Sequence, residues 1–124
     1  MGTIRSGQQL YAENSSLLII GSVHEGGEVV ADKDIIIFGA VRGRVVSGIL
    51  GRESCICISN FHAVLVGIGD AFLAVDEREE VKRFIGKGVC IRREREREDE
   101  VGSGREREKE GNVIVDCGDG KRLV

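Results

Sequence analysis

The sequence predicts an all-β chain wound as a solenoid, or β-helix, of about three coils, with one short capping helix and a charged C-terminal β-hairpin or loop. Three observations carry that prediction. β-Branched residues dominate the apolar content, with 15 Val and 13 Ile against 7 Leu in 124 residues. Eighteen glycines punctuate the chain, while proline and tryptophan are absent. An apolar run recurs about every 20 residues, the period of a coil that stacks short strands on the coil before it.

The repeat fixes the strands in order. Leu17-Leu-Ile-Ile-Gly-Ser-Val23 returns as Ile35-Ile-Ile-Phe-Gly-Ala-Val41, an offset of 18, and more loosely as Cys55-Ile-Cys-Ile-Ser-Asn-Phe61 about 20 further on. A second short strand follows each run, at Val29-Val30, Val45-Val46 and Leu65-Val66, after a bend such as His24-Glu25-Gly26-Gly27 or Arg42-Gly43. Glycine suits such corners because it tolerates positive φ. Three coils are near the minimum for a stable stack, and the unpaired edges at its ends require capping or a second subunit. A β-sandwich is the alternative, since short strands with frequent turns suit both architectures.

A helical signal follows the last coil over roughly residues 77 to 85. Asp76 is a candidate N-cap with Glu79 three residues on, Lys82 and Arg83 occupy the last turn, and Gly86 suits the left-handed C-terminal position. Val81, Phe84 and Ile85 form one apolar face to close over the coils.

Next comes a dense charge run. Fifteen of the 39 charged residues fall between Arg92 and Glu110. In a helix, Arg93 would face Arg97 and Glu94 would face Glu98, so a helix is disfavoured. An antiparallel hairpin pairing residues whose numbers sum to 203 instead opposes Glu98 to Arg105 and Arg93 to Glu110, with four more opposite-charge pairs between. The same register sets Cys90 opposite Val113 and Val89 opposite Ile114. Six charge pairs at roughly 0.2–1 kcal/mol each do not offset a backbone ordering cost of about 1–2 kcal/mol per residue. The expectation is a hairpin firm over 88–92 and 111–115 that frays outward, with a disordered loop as the alternative. The domain is therefore read as 1–92 plus 111–124, and 93–110 as a charged insertion.

Composition excludes several functions. A net charge of -3 leaves no basic footprint for nucleic acid or anionic lipid. No run of 18 apolar residues and no secretory signal is present, so the expected location is cytoplasmic. The cysteines at 55, 57, 90 and 117 include no CxxC pair, and they are read as reduced; Cys55 and Cys57 are read as small buried hydrophobes on one strand face. His24 and His62 lack the spacing of metal or triad chemistry and are read as surface or rung residues. No catalytic residue, metal or cofactor is expected. Met1-Gly2 with Ser6 and the triplet Asn14-Ser15-Ser16 fit loose lipidation and glycosylation patterns, and both are set aside.

Residues 5 to 8 read Arg-Ser-Gly-Gln, followed by Leu10-Tyr11-Ala12 and then the repeats. The chain resembles the C-terminal domain of the MinC septum-site inhibitors, whose pattern opens with RSGQ-x-[IL]-Y-A. The likeness continues through Gly27 to Asp32, Ile35 to Gly39, Arg42-Gly43-Arg44, Gly48, Gly51 and Ala63 to Phe72. A weaker match follows in Gly86 to Arg92 and Gly111 to Val115. This resemblance implies a right-handed, three-sided β-helix that forms homodimers and docks on the ATP-bound, membrane-associated ATPase MinD. It implies that Arg5, Ser6, Gly7, Gln8 and Glu28 belong to the MinD-binding surface. Their chemistry suits that role: Arg5 offers a bidentate fork to a carboxylate, Gly7 permits close backbone approach, Ser6 and Gln8 supply hydrogen bonds, and Glu28 takes a basic partner or orients Arg5. Without the rest of the match, residues 5 to 8 read first as an entry turn only.

The family also carries an N-terminal domain that antagonises FtsZ polymerisation, and the chain begins almost at RSGQ, so that domain is expected to be missing. Lys33-Asp34 replaces the family's Gly-Asn turn, and the charged insert interrupts its closing hairpin. The function expected is a non-enzymatic cell-division module that binds MinD, reaches the inner membrane only through MinD and helps restrict FtsZ ring and septum placement, with FtsZ a possible second partner. A bactofilin-like self-assembling solenoid is the alternative. A hexapeptide-repeat acyltransferase is disfavoured, because a strict six-residue period and a catalytic histidine context are missing.

Overall fold

The computed structural model describes residues 2–48, 53–75, 79–93, 113–116 and 121–123. Among the described residues, eleven strands and one helical turn make up the regular structure: β1 Gln9–Ala12, β2 Leu17–Ile20, β3 Glu28–Ala31, β4 Ile35–Val41, β5 Arg44–Ser47, β6 Cys55–Phe61, β7 Leu65–Ile68, β8 Ala71–Ala74, α1 Glu79–Lys82, β9 Val89–Arg93, β10 Val113–Asp116 and β11 Lys121–Leu123.

From β1 to β7 the chain alternates between two mixed sheets. One has the order β1-β3-β5-β7-β8 and the other β11-β10-β9-β6-β4-β2. Each repeat pairs in parallel with the one before it: Leu17 with Ile35 in the second sheet, Glu28 with Arg44 and Arg44 with Leu65 in the first. A third set of parallel bridges links the segments between the sheets, running from Ile4 to Val23 to Val41 and on to Phe61.

Alternation within each strand decides what faces inward. Ile35, Ile56, Ile91 and Val115 are register partners and all are buried, as are Ile19, Ile37, Ile58 and Val89 in the neighbouring column. Val29, Val45, Val66 and Leu73 do the same in the first sheet. Each such side chain contributes roughly 1.5–3 kcal/mol by leaving water, so these columns outweigh any single polar contact on the surface. The stack also demands small corners. A Cβ on Gly39 would run into the carbonyl oxygen of Gly21 on the coil below.

The third repeat is displaced from its expected register. Ile35 pairs with Ile56 and Ile37 with Ile58, an offset of 21, before a shift restores an offset of 20 at Ala40–Asn60 and Val41–Phe61. At an offset of 20 throughout, buried Ile35 would sit over half-buried Cys55; the irregularity keeps isoleucine on isoleucine. The same parity turns Cys55 and Cys57 outward beside the buried Ile56 and Ile58, so neither is the buried hydrophobe expected.

The far end is closed by antiparallel strands. Gly69-Asp70 turns β7 back as β8, a strand the repeat pattern missed, and β9 pairs antiparallel with β6. Helix α1 is shorter than the predicted 77–85 because the chain tightens after it: Phe84 and Ile85 donate to Val81 and Lys82, three residues back. Val81 and Phe84 are buried as expected, whereas Ile85 is exposed. Gly86 is left-handed as expected, with φ 85°, and its N–H donates to Phe61 O. The Asp76 cap lies outside the described residues.

The closing hairpin is real but its register differs from the one charge pairing selects. Val113 faces Arg93, Ile114 faces Arg92, Val115 faces Ile91 and Asp116 faces Cys90, so partner numbers sum to 206 rather than 203. Parity explains the change. Val89 and Ile91 are buried, and so are Val113 and Val115; only an even sum puts these two odd-numbered sets on one face. Burial of valines and isoleucines outweighs cross-strand charge pairs of roughly 0.2–1 kcal/mol. The six charge pairs themselves, residues 94–110 and Cys117 lie outside the described residues.

Candidate interaction surface

Residues 5 to 8 form a tight turn that leads into β1. Gln8 N–H donates to Arg5 O at 3.0 Å, while the Gln8 side-chain oxygen accepts from Arg5 N–H at 2.7 Å. The Gln8 side-chain oxygen thereby shapes the turn. Gly7 has φ 83°, which favours glycine, and a Cβ there would meet open space, so the turn's conformation and not crowding selects it.

Two backbone bonds hold this turn against the next coil. Gly7 N–H donates to Gly26 O and Glu28 N–H to Gln8 O, both at 3.0 Å. All four residues of the turn are exposed. Among the described residues the Arg5 guanidinium has no hydrogen-bond or ion-pair partner, so its fork is available to an external carboxylate.

Glu28 lies beside the turn but does not orient Arg5. Its carboxylate accepts from Gln9 Nε2 at 2.8 Å and stands 4.0 Å from Arg44 Nη2. Register explains this, since Gln9, Glu28 and Arg44 are consecutive partners on the outward face of the first sheet. Arg44 and Gln9 are therefore members of the surface that motif reading alone leaves out. Their signal is the repeat, which places them on one row once β1, β3 and β5 are aligned.

Polar groups elsewhere serve the coils. Tyr11 donates its hydroxyl to Asp32 Oδ1 at 2.7 Å, and buried Asp32 also accepts from Asn14 N–H at 2.6 Å. That bond to Asp32, followed by loss of solvent and the nearby negative charges, raises the Tyr11 pKa above its ordinary value. Asp34, at the corner where the family pattern has Asn, accepts from Cys55 N–H at 2.9 Å and so ties one coil to the next. His24 is exposed at a bend and His62 continues the rung beside Val41. Among the described residues, no group of three or more His, Cys, Asp or Glu stands close enough to hold a metal ion. No helix there is long and apolar enough to cross a membrane.

These features define an all-β domain of parallel repeats, capped at one end, with an exposed turn at the other and a polar row across the outward face of the first sheet. Residues 1–98 match the family described as the septum formation inhibitor MinC, C-terminal domain, and the chain belongs to that family. It is 39% identical over 94 residues to a probable septum site-determining protein MinC of Shewanella denitrificans, covering 75% of this chain and 42% of that protein. The corresponding protein of Aeromonas salmonicida is 46% identical over 77 residues, covering 61% and 32%. The chain thus spans less than half the length of these relatives. Its fold is similar, with a TM-score of 0.68 and 24% identity, to a chain of the MinC:MinD cell division protein complex of Aquifex aeolicus, covering 96% of this chain and 83% of that one.

Proposed function

We propose that the chain is a non-enzymatic regulator module of cell division. In this reading it is a right-handed, three-sided β-helix that pairs as a homodimer, binds ATP-bound MinD through Arg5, Ser6, Gly7, Gln8 and Glu28, and helps restrict FtsZ ring and septum placement. Residues 1–92 and 111–124 form the domain, with 93–110 as a charged insertion. Recruitment to the inner membrane follows from MinD. The two sheets and the third set of bridges support the three-sided coil.

The observation that carries the binding site is the exposed Arg5 fork, without a partner among the described residues and next to the Gln9-Glu28-Arg44 row. An arginine held beside a carboxylate that is already engaged suits a partner offering an acidic group for Arg5 and a basic group for Glu28. The test is retention of the chain by immobilised MinD with ATP. Wild type is retained and Arg5→Ala is lost by tenfold or more in affinity, about 1.4 kcal/mol, with an unchanged circular dichroism spectrum. Equal retention of the two proteins removes the site.

Homodimerisation is supported by a second surface. Leu18, Ile20, Ile36 and Phe38 are exposed on the outward face of the second sheet, as two pairs of adjacent register partners. Contiguous apolar side chains of this kind mark association surfaces. The bactofilin-like alternative requires both ends of the stack to be open, and the antiparallel β8 and β9 with α1 close one of them.

A further inference from the structure

The outward face of the second sheet carries a feature that MinD binding does not use. Cys57 and Cys90 are direct partners across the antiparallel pair β6 and β9, and their sulfurs lie 2.8 Å apart. A disulfide bond is ~2.05 Å long and joins residues at cross-strand separations, so little beyond loss of two hydrogens separates this pair from a bond. Both are free thiols, Cys57 half-buried and Cys90 exposed.

We propose that Cys57 and Cys90 form a redox-active dithiol that small-molecule disulfides oxidise to an intramolecular cross-link, stapling the last parallel strand to the first closing strand. The proposal is independent of the partner reading. The order of steps follows from the two environments. Burial, then the hydrogen bond with Cys90 and the neighbouring thiols, push the Cys57 pKa up to about 12, so Cys57 stays protonated. Cys90, the exposed member, meets the external disulfide first.

Taking glutathione disulfide as the oxidant, the Cys90 thiolate attacks one of its sulfurs. A Cys90–glutathione mixed disulfide forms and one glutathione thiolate leaves, taking a proton from solvent. Cys57 then gives its proton to a solvent base and attacks Cys90 Sγ, which breaks the mixed disulfide and releases the second glutathione. Two protein thiols are oxidised and one glutathione disulfide is reduced to two thiols. Reducing agents of the dithiol class reverse the sequence.

The experiment treats the reduced full chain with glutathione disulfide and follows intact mass and cysteine-containing peptides. Wild type is expected to lose two hydrogens and yield a peptide linking Cys57 to Cys90 within one chain, reversed by dithiothreitol. Cys57→Ser, which cannot resolve the intermediate, is expected to stop as a glutathione adduct on Cys90, and Cys90→Ser to leave Cys57 unmodified over the same period. The proposal is overturned if wild type stays fully reduced, accumulates glutathione on Cys90 without closing, links either residue to Cys55, Cys117 or a second chain, or if the two variants behave alike.

Discussion

At the scale of single residues, two positions show how little freedom the stack allows. Gly39 sits where consecutive coils touch backbone to backbone, and the Gly21 carbonyl occupies the space of a side chain. Gly39→Ala is therefore expected to cost about 1–3 kcal/mol, the range of an overpacked core, read as a lower denaturant midpoint at unchanged slope. Tyr11 supplies a pH dependence. Its pKa is raised in the folded chain by the bond to Asp32, so the folded state holds that proton more tightly than the unfolded one. The resulting stability is fully present below the unfolded tyrosine pKa of about 10 and is lost as pH rises through the higher folded value. Tyr11 is the only tyrosine of the chain, so its ionisation is followed directly by ultraviolet absorbance. Tyr11→Phe is expected to remove this alkaline loss; an identical pH profile in both proteins would show that the bond carries no linkage.

At the scale of elements, the β9–β10 hairpin shows which force sets register. Charge complementarity favours an odd sum of partner numbers and the apolar alternation an even one; the observed sum of 206 is even. The two registers assign opposite faces to Ile114, and mutation separates them. Ile91→Ala is expected to cost about 2–5 kcal/mol, because its side chain is wholly buried against Ile56 and Val115. Ile114→Ala, on the outward face, is expected to cost under about 1 kcal/mol. Chemical denaturation of the two variants checks the contrast, and a cost for Ile114→Ala as large as that of Ile91→Ala would mean that the hairpin is paired in the odd register. The change of offset from 21 to 20 within β4–β6 follows the same rule, since a one-residue irregularity is tolerated to keep isoleucine over isoleucine.

At the scale of the whole molecule, the two ends and the two sheet faces differ in kind. One end of the stack is shut by β8, β9 and α1, while β1 and β2 are sheet edges at the other, beside the turn that bears Arg5. The first sheet presents the polar row Gln9, Glu28 and Arg44, and the second presents Leu18, Ile20, Ile36 and Phe38. With the polar surface and the apolar one on separate faces, the proposed partner binding and the proposed self-association would not compete. On the proposed reading, wild type is expected to sediment as a dimer and the Ile20→Glu, Phe38→Glu double variant as a monomer at the same concentration, with both expected to be retained by MinD. A wild-type monomer, or a variant that remains dimeric, would place self-association elsewhere.

The sequence by itself determined the all-β class, the strand positions from β2 to β7 and the turn at residues 5 to 8. Those are local properties: alternation, β-branched content and glycine at bends are written residue by residue. The coil-to-coil register was legible where the repeat is strict, as at Leu17 with Ile35, and was lost over Ile35 to Ile37, where the pairing with β6 stands one residue from the repeat's offset. Only the tertiary structure decided that Glu28 engages Gln9 and Arg44 instead of Arg5, that Cys57 meets Cys90, and that the closing hairpin takes the even register. Each depends on which side chains share a face once distant strands align. That alignment is set by the summed burial of the core columns, a quantity that no single motif carries.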